Sequence, residues 1–253
     1  MKNKSKKPIL TTREIVIIGI LGAITVVLGM TPLGFVPIGP LNATTMHIPV
    51  LIAAFIEGPV VGGFVGLIFG LSSLFNAIAR PTPISFVFYN PLISIVPRIL
   101  LGVISAYIYR IFKNVDKKGL KALGLIAWIG VIGFLAAGLI KNIVASTYGG
   151  GFFLNGGFLL LSVGLLVWIV RSESESGAVV LSAFISTILH SVMVMGGIYI
   201  FFAEAFVRAM GAPEALVNTV IFGTIISSGV PEGILAGIVS TGVVTAWAAS
   251  KKR

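Results

Sequence analysis

Apolar runs long enough to cross a bilayer follow one another along almost the whole of this chain, and that succession limits its fold more than any motif does. A spanning helix needs roughly 17–25 apolar residues, because the hydrocarbon layer is about 30 Å thick and a helix rises about 1.5 Å per residue. Such runs cover residues 14–30, 60–77, 86–111, 120–140, 152–170, 178–202 and 217–249, with a shorter one at 46–56. The longest exceeds one span, and Gly229-Val230-Pro231 is expected to break it, with the last helix starting at Pro231, where Pro suits a first turn. The expected fold is an all-α membrane protein of about eight spans, or six if the hairpin at 120–171 is discounted.

Composition agrees. Hydrophobic residues make up 57% of the chain and charged residues 10%, and the mean hydropathy is +1.08. Soluble domains carry about a quarter charged residues, so this chain cannot cover itself with polar surface. The net charge of +10 is gathered at Lys2 to Lys7, Arg110 to Lys121 and Lys251 to Arg253, beside apolar runs. That distribution marks cytoplasmic helix ends and not a nucleic-acid footprint, and it puts both termini inside a multi-pass protein of the cell membrane. The first apolar run follows a basic stretch but lacks a small-x-small cleavage site before Thr31-Pro32, so it reads as a retained helix and not a secretory signal.

Loops and packing signals are also legible. Residues 31–45 form a Gly-, Pro-, Asn- and Thr-containing loop that is apolar enough to lie against the bundle. Glu57-Gly58-Pro59 is a tight turn. Gly62, Gly66 and Gly70 recur every fourth residue and make a flat stripe for close approach of another helix. The chain has no Cys and two His, which leaves no thiolate site and little for an imidazole metal cluster. No nucleophile–base pair, metal-ligand spacing or phosphate loop of the GxxxxGK[ST] type stands out, so no catalytic residue, metal or cofactor is assigned.

The segments TPLGFVPIGPLNATTMHIPVLIAAFIEGPVVGGFVGLIFGLSSLF, PRILLGVISAYIYR, ISTILHSVMVMGGIYIFF and GVPEGILAGIVSTGVV resemble the substrate-binding S components of energy-coupling factor (ECF) vitamin importers, most of all the pantothenate-type branch. The resemblance covers about the first 112 residues and the last 75, which make the six helices of that family. It implies a single bundle, with four N-terminal helices in 1–112, C-terminal helices in 178–253, and an additional transmembrane hairpin at 120–171 that departs from the family pattern. It further implies capture of a small vitamin outside the cell, and association with a transmembrane coupling subunit and two ATPase subunits that supply the energy. The rival classes are a standalone secondary transporter, a membrane enzyme and an assembly factor without a ligand. A secondary transporter would show internal repeats and a coupling carboxylate; Glu232 is the only candidate for the latter.

Candidate site residues gather near the outer leaflet. Arg98 is costly within a span unless paired; it either binds a ligand carboxylate in a bidentate manner or is a structural Arg bonded to backbone carbonyls or to Glu232. His190, with Ser186 and Ser191 nearby, is either a satisfied core residue or a ligand contact, since the family's site draws on this helix. His47 is expected at the interface beside Thr44 and Thr45, with a contact to the ligand as its alternative role. Tyr89 reads as an interface anchor or a site residue, and Asn76 and Asn90 as pocket-lining amides. Glu232 is expected in the first turn of the last helix, complementing the helix dipole, with contact to a ligand hydroxyl or amine as the second role. The resemblance makes the loop after the first span a gating loop, with Phe35 and Asn42 as lid contacts, and Gly19 and Ala23 a docking face for the coupling subunit; ordinary packing inside the bundle is the alternative for that pair. An Arg near the outer face suits an acidic vitamin, pantothenate first and folate next.

Overall fold

A computed structural model describes residues 10–38, 41–171 and 174–251, with the side chains of 35–43 and 172–175 outside that description. Among the described residues, seven helices are long and apolar enough to cross a membrane, and a shorter apolar helix completes eight. They are α1 (Thr12–Met30), the short α2 (Ile48–Glu57), α3 (Pro59–Ala79), α4 (Pro91–Ser94) continued after a break by α5 (Val96–Lys113), α6 (Lys117–Val144), α7 (Gly150–Arg171), α8 (Ser174–Ala209) and α9 (Val217–Ser250). The expectation of an all-α membrane bundle of about eight spans holds.

The helix ends have local causes. Thr11 and Glu14 form a reciprocal capping box at the start of α1, with Thr11 N–H donating to Glu14 Oε2 at 2.6 Å. Gly58 turns α2 into α3 at φ 94°, a left-handed conformation that costs glycine little, and Pro59 starts α3 where its missing N–H is not needed. The span expected to end at Phe202 instead kinks there, at φ −143° and ψ 19°, and α8 continues to Ala209.

Two expectations are corrected. The loop after α1 contains an antiparallel hairpin, β1 (Phe35–Ile38) paired with β2 (Leu41–Thr44), with Phe35 opposite Thr44 and Ile38 opposite Leu41. Its ladder satisfies backbone groups that an apolar loop lying on the bundle would otherwise leave unpaired. The expected break at Pro231 is absent, since α9 runs through it to Ser250. Pro231 removes one helical hydrogen bond, but close packing holds the helix together. A Cβ on Gly229 would lie 3.1 Å from Ile188 and 3.2 Å from Ser191 of α8, and helix-breaking residues are tolerated where neighbouring helices support them.

The glycine stripe of α3 finds its partner in α5. A Cβ on Gly62 would lie 2.5 Å from the Gly102 carbonyl oxygen, one on Gly66 would overlap the Arg98 carbonyl, and one on Gly70 would lie 2.7 Å from Ile95 Cα. Without a hydrophobic drive between helices in lipid, this close approach supplies the van der Waals contact that binds them. Helices α6 and α7 pack chiefly on each other, and they touch the remaining bundle through contacts such as Trp128 on Phe184 of α8, 5.1 Å between ring centroids.

One end of the bundle is basic. Arg13 at the start of α1 pairs with Glu57 at the end of α2 and lies 5.2 Å over the Trp247 ring near the end of α9. Arg110 of α5 approaches Gly58 at the same end. Helix alternation puts the hairpin, residues 80–90 and residues 210–216 at the other end. Lys2 to Lys7 lie outside the described residues.

Replacing Gly66 by Leu should force α3 and α5 apart at the Arg98 carbonyl and cost about 1–3 kcal/mol or more. Gly130→Ala on α6, where a Cβ meets nothing within 4 Å, should be neutral or stabilising. Melting temperatures of the purified variants in detergent check both.

Candidate functional site

Two adjoining chambers open toward the hairpin end. The larger, about 370 Å³, lies among α1, α3 and the 80–90 segment and includes Gly29, Met46, Phe69, Ser73, Asn76 and Arg80 in its wall. The smaller, about 120 Å³, lies among α5, α8 and α9 and includes His190, Ser191, Met195, Phe206, Thr224, Ser228 and Glu232. Thr44, Ile84, Phe88 and Arg98 line both and form the partition.

Arg98 holds this position for a backbone reason. Pro97 has no N–H to return to Ile93 four residues back, so the Ile93 carbonyl is free, and Arg98 Nη1 donates to it. The guanidinium carbon lies 5.4 Å from the centroid of Phe69 and 5.5 Å from that of Phe88, close enough for cation–π attraction. The residue is only 5% exposed, yet its Nε has no hydrogen-bond partner. Both sequence readings of Arg98 therefore have a physical basis: one edge of the fork is bound to backbone, and the other has donor capacity left over.

Glu232 is not in a first turn, because α9 continues through Pro231; that expectation is corrected. Its carboxylate is buried and accepts the backbone N–H of Thr44 at 2.7 Å, tying the end of β2 to α9 across 188 residues of sequence. Thr45 fixes the other side of the hairpin base, donating its N–H to Gly34 O at 3.1 Å and its hydroxyl to Leu33 O at 2.8 Å.

The remaining candidates divide. His190 lines the smaller chamber with both ring nitrogens unpartnered. Asn76 lines the larger and donates to Gly29 O at 3.1 Å. His47 is not the interfacial residue expected: it is fully buried at the start of α2, under the folded-back hairpin base, with its ring 6.3 Å from that of His190. Its ring is not part of either chamber wall. Ser191 lines the smaller chamber, while Ser186 is buried outside it. Asn90 caps α4 by accepting from Leu92 N–H at 3.0 Å, and Tyr89 is 46% exposed; neither lines a chamber. Phe35 and Asn42 have backbone in β1 and β2, but their side chains lie outside the described residues. Gly19 and Ala23 are exposed, whereas Gly22, Thr25 and Gly29 form the face of α1 turned inward.

Sequence reading missed Arg80, Phe88 and the Thr44 amide. Arg80 stands four residues after Asn76, one helical turn further toward the end that bears the hairpin, and that spacing was an available signal. The Thr44 amide carries no signal in sequence, since every residue but Pro has one.

Helices α1, α2, α3, α4–α5, α8 and α9 thus form a six-helix membrane bundle with a cleft at one end and a buried cation in its wall. The chain belongs to the family of substrate-specific components of ECF transporters: the family model described as "ECF transporter, substrate-specific component" matches residues 13–151, more than half of its length. Among curated proteins, it is 36% identical over 136 residues to the "Pantothenate transporter PanT" of Leuconostoc mesenteroides, covering 53% of this chain and 64% of that protein. It is 35% identical over 97 residues to the "Pantothenic acid transporter PanT" of Lactococcus lactis subsp. cremoris, covering 33% of this chain and 50% of that protein. The matched regions thus span one half to somewhat under two thirds of these relatives.

Because the Thr44 amide is held by the buried Glu232 carboxyl group, Glu232→Ala should release it. Hydrogen–deuterium exchange at Thr44 should speed up by roughly 10- to 100-fold, the equivalent of about 1–3 kcal/mol for a donor left without its partner, while amides in α3 stay protected.

Proposed function

We propose that this chain is the capture subunit of an importer for a small carboxylated vitamin, pantothenate first among them. The observation that carries the reading is the buried Arg98 fork, with Nε unpartnered at the partition of two chambers. A carboxylate placed there would meet a cation in a low-dielectric wall, where a charge-assisted bond is strong and Arg geometry is selective. The names of the two relatives support pantothenate over other acids. The larger chamber falls in the range of small-molecule sites, about 300–1,000 Å³.

In this reading the hairpin end faces outward and the basic end, with Arg13, Arg110, Lys113 and Lys251, faces the cytoplasm, in keeping with the positive-inside rule. Both termini are then cytoplasmic. The β1–β2 hairpin, anchored by Thr45 and Glu232, serves as the lid. A transmembrane coupling subunit docks on the exposed face of α1 around Gly19 and Ala23, where a Cβ on Gly19 would meet nothing within 4 Å, and two ATPase subunits drive release. Helices α6 and α7 form an appended hairpin on the flank of the six-helix bundle.

The test compares pantothenate with its neutral alcohol analogue, pantothenol, by calorimetry on the detergent-solubilised chain. Arg98→Ala should weaken pantothenate by about 100-fold or more, in line with the roughly 2–5 kcal/mol lost when one partner of a buried charge pair is removed. Pantothenol should change by only about threefold. Equal losses for the two ligands would assign Arg98 to holding Ile93 alone. Co-purification with ATPase subunits tests the partners separately.

A further inference from the structure

The carboxylate reading leaves a second buried ionisable group unused. Glu232 stands in the wall of the smaller chamber together with Arg98. One carboxylate oxygen, Oε1, accepts the Thr44 N–H. The other polar groups of that chamber lean the same way. Thr224 donates its hydroxyl to Val220 O and Ser228 donates its own to Thr224 O, both at 2.7 Å, so each presents oxygen lone pairs and not a proton. His190, 5% exposed and without a partner at either nitrogen, and Ser191 are the remaining polar residues of its wall apart from the partition. Val194, Met195, Ile198 and Phe206 supply apolar walls.

Beyond Arg98, then, the chamber offers no second Lys or Arg to meet another anion, and its other groups are an acid, neutral polar side chains and apolar surface. A second anion entering it would meet a carboxylate at short range in a medium of effective dielectric about 20 or less, where like charges several ångströms apart repel by a few kcal/mol. A hydroxyl on a branched aliphatic group would instead donate to Glu232 or His190 and lie against the apolar wall. Building acceptors that a wrong ligand cannot satisfy is how sites gain selectivity through repulsion as well as attraction.

We propose that Glu232 is a specificity-determining residue that restricts the site to ligands with one anionic group: Arg98 takes that anion, and Glu232 accepts a hydroxyl at the other end and repels a second anion. This rests on the assignment of Arg98 to the ligand carboxylate. The ligands excluded are those with more than one anionic group, namely phosphate monoesters of a hydroxy acid and dicarboxylates, folate among them.

The experiment measures dissociation constants of pantothenate and 4′-phosphopantothenate on the full chain and on Glu232→Gln. Gln retains a carbonyl acceptor for the Thr44 N–H while removing the charge, so the lid contact and the charge are separated. The wild-type chain should prefer pantothenate by about 100-fold or more, and the preference should fall at least about tenfold in Glu232→Gln. An unchanged preference in the variant overturns the proposal. So does equal binding of the two ligands by a wild-type chain that binds pantothenate, an outcome that leaves the Arg98 reading standing; failure to bind pantothenate at all overturns both. Should the Gln variant not fold, 4′-deoxypantothenate on the wild-type chain tests the same contact: binding weakened about tenfold or more supports it, and binding equal to that of pantothenate overturns it.

Discussion

The bond from Arg98 to the Ile93 carbonyl organises the centre of this protein. A guanidinium within a membrane span is costly unless its donors are met, and a carbonyl deprived of its helical partner by proline is a polar group without an outlet in hydrocarbon. Each answers the other. The resulting knot breaks α4 from α5, holds the cation between the rings of Phe69 and Phe88, and places it where two chambers meet. The close approach of α3 and α5 through Gly62, Gly66 and Gly102 keeps the backbone around it fixed.

A second constraint joins distant parts of the chain. The hairpin after α1 is held at its base by hydrogen bonds. It is tied through Thr45 to Leu33 and Gly34 on its own side, and through Thr44 to Glu232 on α9. The buried acid therefore fixes the hairpin near the chambers and shares the wall of the smaller one with Arg98.

The flanks look different from the centre. Most of α1 outside Gly22, Thr25 and Gly29 is exposed, and the α6–α7 pair rests against α8 and α9 through few large side chains such as Trp128. Surfaces of this kind in a bilayer face lipid or another protein, and the small residues Gly19 and Ala23 distinguish the α1 face as one that a second helix can approach closely.

The sequence by itself determined the membrane class, the number and most of the boundaries of the helices, the glycine stripe of α3 and the presence of Arg98 as a charge within a span. Those follow from local properties: length of apolar run, residue spacing, and the cost of a charge in hydrocarbon. Tertiary structure alone decided that α9 passes through Pro231, that Glu232 bonds Thr44, that His47 lies under the hairpin and out of the chambers, and that Asn90 is spent on a helix cap. A proline breaks a helix only when no neighbour holds it, and a polar side chain chooses between ligand, cap and core by what stands beside it in space. Those outcomes depend on contacts between residues far apart along the chain, which no local pattern records.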